Sequence, residues 1–177
     1  MDKKQIKKVA DAHYELYGEE GKALYLEMVR LCDLLGLEPV QSVTPLDESA
    51  MGAYNGSAGW YIAKERRIVI LKRHHRDRDT MLRTVVHEVC HHLQAKLVSE
   101  GKAKGAVSRG AHRNEAWYMA VSLMNEALYG KPIPREKWAG KTSRMVNGVK
   151  VNCEKEGAIS EVDFTHYPDA PIWKKWR

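Results

Sequence analysis

Apolar residues recur at three- and four-residue steps in four stretches of the chain, and they cluster with β-branched and aromatic neighbours in others. Residues 2–17 place Ile6, Val9, Ala10, His13 and Leu16 on one helical face, and Gly18 breaks the pattern. A second helix runs from about Lys22 to Leu35 through Leu24, Met28 and Leu31, with Gly36 as its stop. His13 lies on the apolar stripe and reads as a packed core histidine. Pro39 to Asp47 reads as an extended loop leading into a strand. The runs Ala53–Ala63 and Arg66–Leu71, joined by the polar Lys64-Glu65, predict an antiparallel hairpin. A third helix is capped by Asp79 and carries Leu82, Val85, Val86, Val89, Leu93 and Leu97 as its buried stripe. After a polar loop over residues 99–105, a fourth starts at Asn114, buries Trp117, Ala120, Val121, Met124 and Leu128, and stops at Gly130. Pro132 and Pro134 mark a linker, and Asn147-Gly148 sits between β-formers as a hairpin turn.

Composition changes this picture little. A chain of 177 residues with 44% hydrophobic content can bury a real core as one domain with a small appendage. No run of eighteen apolar residues occurs, and the N-terminus lacks the apolar stretch of a signal peptide, so the expectation is a cytoplasmic protein with no membrane partner. Three widely spaced cysteines, Cys32, Cys90 and Cys153, argue against a disulfide framework, and Cys90 reads as a small packing residue. The net charge of +6 and pI near 9.2 are compatible with a DNA or RNA partner, and equally with a plain basic surface. At the C-terminus Trp173 and Trp176 stand among three basic residues, a pattern that suits either docking on the core or base stacking.

The chemistry lies in the third helix. His87-Glu88-Val89-Cys90-His91 is an H-E-x-x-H motif. At about 100° per residue, His87 and His91 point away from the buried stripe and to the same side of the helix, so both imidazoles can grip one ion. Neutral imidazole suits Zn²⁺, and a catalytic zinc takes three protein ligands and leaves a fourth position to water. Glu88 is placed as the general base toward that water, the arrangement of a metalloprotease acting on protein or peptide. His92 reads as a neighbour on the helix rather than a second ligand, and His74 and His75 as solvated residues of a charged connection. The third ligand comes from the start of the fourth helix, where His112 and Glu115 are equally sound: one gives a His₃ site and the other a His₂Glu site.

His87-Glu88-Val89-Cys90-His91, the later His112 and the following Trp117 resemble the SprT-like zinc metallopeptidases, which pair H-E-x-x-H with a third histidine at the start of the next helix and an aromatic soon after. Gly56-Ser57-Ala58-Gly59-Trp60 and the Ile68–Leu71 strand also resemble that family's stretch ahead of its metal helix. The similarity covers about Met51 to Ile133. It implies a zincin-like α+β fold of N-terminal helices, a small antiparallel sheet, the H-E-x-x-H helix and a ligand-bearing helix. The implied domain spans residues 1–130, with a helical part at 1–37, and 131–177 form an extension with a hairpin and a basic, tryptophan-containing tail. The resemblance points to His112 as third ligand and Glu88 as catalytic base. Arg113 stands where the family has glycine, the aromatic comes one residue late, and the loop from Leu93 to Ala111 is long. The four-cysteine zinc ribbon with which members often end is not expected, since only Cys153 follows Cys90. Two other readings fit the same residues: a nucleic-acid-binding accessory protein with a structural zinc, and a gluzincin-like regulatory peptidase using Glu115.

Overall fold

The structure is a computed structural model that describes residues 1–47, 58–107, 112–138, 141–146, 149–154, 159 and 161–164, and for 141–154 the backbone pairing alone. The turn expected at Asn147-Gly148, the segment 53–57 and the tail bearing Trp173 and Trp176 lie outside the described residues. The chain divides into two compact units, Met1–Leu93 and Gln94–Arg177. It is a mixed α+β structure, and no described helix is long and apolar enough to cross a membrane.

In the first unit, α1 (Lys3–Leu34) opens with a capping box: the Asp2 carboxylate accepts from the Gln5 N–H, and the Gln5 side chain accepts from the Asp2 N–H. Gly18 is non-helical at φ 69°, ψ −164°, so the single span is two helices meeting at a break, where the sequence places it. The apolar phase of the second half buries Leu24, Tyr25, Met28, Leu31 and Cys32 completely. His13 is a core residue, as its place on the stripe predicts. Its Nδ1 donates to the Val9 carbonyl at 2.8 Å, its Nε2 accepts the Val43 N–H at 3.1 Å, and its ring stacks on Tyr25 with centroids 4.4 Å apart.

That Val43 belongs to a strand the sequence does not announce. Within the stretch read as a loop, β1 (Ser42–Leu46) lies parallel to β3 (Arg67–Leu71), in register Val43 with Ile68 and Pro45 with Ile70. The expected hairpin is present as β2 (Gly59–Ile62) antiparallel to β3, so the strand order is β1-β3-β2. The sheet is therefore mixed, a correction to the antiparallel expectation. The reason is that β3 is central: Ile68, Val69, Ile70 and Leu71 are all buried, which is what a continuous apolar run supports and an alternating one does not. A single 3₁₀ turn (Ala63–Glu65) and Arg66 at φ 47° close the hairpin, and the Arg66 guanidinium bonds the Pro39 carbonyl at 2.9 Å, which holds the unusual backbone in place.

Helix α2 (Arg78–Ser99) follows a 3₁₀ turn at Lys72–His74. Its cap is Asp77, not Asp79: the Asp77 carboxylate accepts from the Thr80 N–H at 2.9 Å, and the Thr80 hydroxyl accepts from the Asp77 N–H at 3.3 Å. Asp79 falls in the first turn, where its charge suits the helix dipole. In the second unit, α3 (Glu115–Tyr129) starts at the expected cap, Asn114, whose side-chain oxygen accepts from the Trp117 N–H at 3.0 Å. It ends at Gly130, left-handed at φ 69°. The segment expected as a linker is tied to this helix instead. Ser122 exchanges hydrogen bonds with the Ile133 N–H and carbonyl, and Ile133 is buried. Strands β4 (Lys141–Val146) and β5 (Val149–Glu154) pair antiparallel, as the expected hairpin requires.

Candidate metal centre

His87 and His91 stand one turn apart on α2, with ring centroids 5.0 Å apart and planes nearly perpendicular. Both are partly exposed, while Val85, Val86, Val89 and Cys90 on the same turns are buried. The helix thus presents its imidazoles opposite its core face, as the apolar phase predicts. His112, just before α3, has its ring edge-on to the buried Trp117 at 4.6 Å between centroids. One imidazole nitrogen from each of His87, His91 and His112 lies within 4.8 Å of the others. Three neutral nitrogen donors at such spacing are a set that could hold a metal ion.

Glu115, the alternative third ligand, is engaged elsewhere. Its Oε1 accepts from the Arg135 guanidinium at 2.6 Å and its Oε2 from the Lys104 N–H at 3.2 Å. Nor is it part of the histidine triad. Between two candidates that spacing could not separate, the geometry gathers His112.

Glu88 is buried, at 3% exposure. What it packs against explains a glycine. A Cβ added at Gly59 would come within 2.7 Å of Thr84 Cγ2, 2.9 Å of the Val69 carbonyl oxygen and 3.2 Å of Glu88 Oε1. Strand β2 can lie this close to α2 only with no side chain at that position. Two residues on, and so on the same face of the strand, the Tyr61 hydroxyl meets His92 Nδ1 at 2.8 Å. His92 Nε2 faces the Glu38 carbonyl oxygen at 2.9 Å and donates to it, leaving Nδ1 to accept from the tyrosine. Burial pushes the Tyr61 phenol above its ordinary pKa, which keeps it a donor. Thr84, Glu88 and His92 thus form an i, i+4 stripe on α2 against which Gly59 and Tyr61 of β2 are laid. His92 is outside the triad, as expected, but its bonds give it a structural role: the one to Tyr61 pins β2 to α2, and the one to Glu38 ties α2 to the segment before β1.

The two histidines of the charged connection differ. His74 is exposed and accepts from Arg73 Nε at 3.0 Å. His75 is not solvated as expected: its Nδ1 donates to the Leu71 carbonyl at 2.6 Å and its Nε2 sits 2.7 Å from the Thr84 hydroxyl. Burial lowers its pKa, partly opposed by the Leu71 bond. Cys90 is completely buried, as expected of a packing residue. The Tyr61–His92 pair escapes a sequence reading because it joins residues 31 positions apart, although a histidine directly after H-E-x-x-H on the strand-facing phase was a visible sign.

Comparison of the chain with protein-family models, with curated proteins and with solved structures found no match.

Proposed function

We propose that the chain is a zinc-dependent metallopeptidase that hydrolyses peptide bonds, with His87, His91 and His112 as metal ligands and Glu88 as catalytic base. The observation that carries this reading is the pairing of the three-histidine cluster with a buried glutamate next in sequence to its first member. A structural zinc needs no base, and burying a carboxylate carries a cost that a catalytic role would justify. The resemblance of these residues to the SprT-like pattern points the same way, and a His₃ donor set suits zinc.

Zinc held by the triad would supply Lewis acidity, lowering the pKa of water and polarising the scissile carbonyl. Glu88 takes the proton of the attacking water and returns it to the departing amine. Its burial keeps that carboxylate in a low-dielectric setting, where proton transfer is not short-circuited by bulk water. Strand β2 is at the edge of the sheet among the described residues. The Leu71 N–H donates to the Ala58 carbonyl at 2.9 Å, so Ala58 and Leu71 form a hydrogen-bonded pair and the alternation turns the main-chain groups of Gly59 and Tyr61 away from β3. Those groups are suited to hold an extended peptide by strand addition, alongside Glu88.

Glu88→Gln tests the reading. It removes the base and keeps a similar shape, so zinc content and fold are retained while cleavage of an unfolded protein such as casein drops by at least about 100-fold. A variant that cleaves at the wild-type rate rules the mechanism out.

A further inference from the structure

His112 sits on a long connection between α2 and α3, and the base of that connection is closed by main-chain and side-chain bonds. The Ala116 N–H donates to the Lys104 carbonyl at 3.1 Å, the Lys104 N–H to Glu115 Oε2 at 3.2 Å, and Asn114 Nδ2 to the Ala106 carbonyl at 3.0 Å. At the centre of this closure is a side chain from the metal helix. Gln94 is completely buried, and its Nε2 donates both to the Ala106 carbonyl and to Asn114 Oδ1, each at 3.2 Å. Asn114 Oδ1 in turn caps α3 through Trp117 N–H. Gly105, at φ 156°, completes the fit, since a Cβ there would lie 2.4 Å from Asn114 Oδ1.

We infer that Gln94 is a positioning residue for the metal centre, the buried amide that fixes where the loop bearing His112 begins and ends. It is three residues beyond His91 on α2 and reaches Asn114, two residues beyond His112. One side chain thereby joins the helix of the first two ligands to the cap that follows the third. A purely apolar residue at 94 could fill the same space in the core. It could not hold two oxygens at once, and a buried amide facing carbonyl oxygens is retained only if those bonds are made. Holding the loop ends ahead of metal binding removes the ordering cost that a mobile ligand would otherwise impose on affinity. This role for Gln94 rests on the reading of His87, His91 and His112 as a metal site, and does not depend on peptidase activity.

The test is titration of the metal-free chain with Co²⁺, whose visible absorption reports the ligands around it, followed by Zn²⁺ competition against a chelator. Wild type and His112→Ala frame the scale. Gln94→Met keeps length and apolar bulk but donates no hydrogen bond, and Asn114→Ser keeps a capping oxygen for α3 but loses the amide bonded to Ala106. Both variants are expected to bind Zn²⁺ about 10–100-fold more weakly than wild type, with Co²⁺ spectra shifted toward that of His112→Ala. Wild-type affinity and spectrum in Gln94→Met, with only a lowered melting temperature, would show a merely structural amide and overturn the inference. Should Gln94→Met not fold, Asn114→Ser decides by the same two readouts. A wild type that takes up no Co²⁺ or Zn²⁺ overturns the metal site itself, a result distinct from the variant comparison.

Discussion

His13 shows how one side chain can set a pH limit on the fold. It is buried with both ring nitrogens committed, one donating to Val9 and one accepting from Val43, and only the neutral ring satisfies both. Burial lowers its pKa below the ordinary 6.5, partly opposed by the Val9 bond. The unfolded chain therefore binds the proton more readily, so the stabilisation is present above pH 6.5 and is lost as pH falls through the folded value. His75, lowered for the same principal reason, acts in the same direction. Urea midpoints of metal-free protein, measured from about pH 7.5 down to about pH 5, should fall for wild type and fall less for His13→Gln; parallel curves would show that His13 carries no such linkage. At the proposed zinc site, His112→Ala should cost most of the metal affinity, because two ligands cannot complete a three-ligand set. Glu115→Ala should keep the metal, its cost being an exposed ion pair, a favourable helix-dipole charge of about 0.3–1 kcal/mol and the bond from the Lys104 N–H. A chelator titration that found the reverse would move the third ligand to Glu115.

Among the elements, the contact of β2 with α2 is the one on which the proposed chemistry depends. Gly59→Ala would push a methyl into Thr84, the Val69 carbonyl and Glu88. A loss of about 1–3 kcal/mol is expected, as for other overpacked sites, together with reduced cleavage even where the fold survives. A thermal midpoint equal to wild type would contradict so close an approach. The helices, their stops at Gly18 and Gly130, the cap at Asn114 and the β2–β3 hairpin were all legible, because each is written in a local pattern. The clustering of His87 with His91 was legible for the same reason. Strand β1 was not, since Gln41 to Leu46 has no alternation and carries a proline, and its pairing partner begins 25 residues later at Arg67. Asp77 and Asp79 can both cap, and the sequence alone does not fix which of them stands ahead of the first turn. Gln94 had a readable sign: it falls on the phase of Val86, Cys90 and Leu97, a polar residue among buried ones. Its partners lie across a loop and had none.

For the whole molecule, charge and connectivity have separate consequences. A net charge of +6 makes a polyanion a testable partner. A DNA duplex or RNA strand retained at low ionic strength should be released steeply as salt rises, because neutralised phosphates set counterions free; no retention even at low salt would assign the charge to solubility. The strand order bears on synthesis instead. Because β1 pairs with β3 and β3 comes after β2, a growing chain makes Ser42–Leu46 well before Arg67–Leu71, the only described strand it pairs with. On the ribosome α1 and β1 can dock through His13 and Val43 while the other side of β1 waits open. A nascent chain long enough to bring β1 out of the exit tunnel while β3 is still inside it therefore carries an unpaired strand edge of the kind that recruits other strands, and a holdase chaperone should crosslink to it until β3 has emerged.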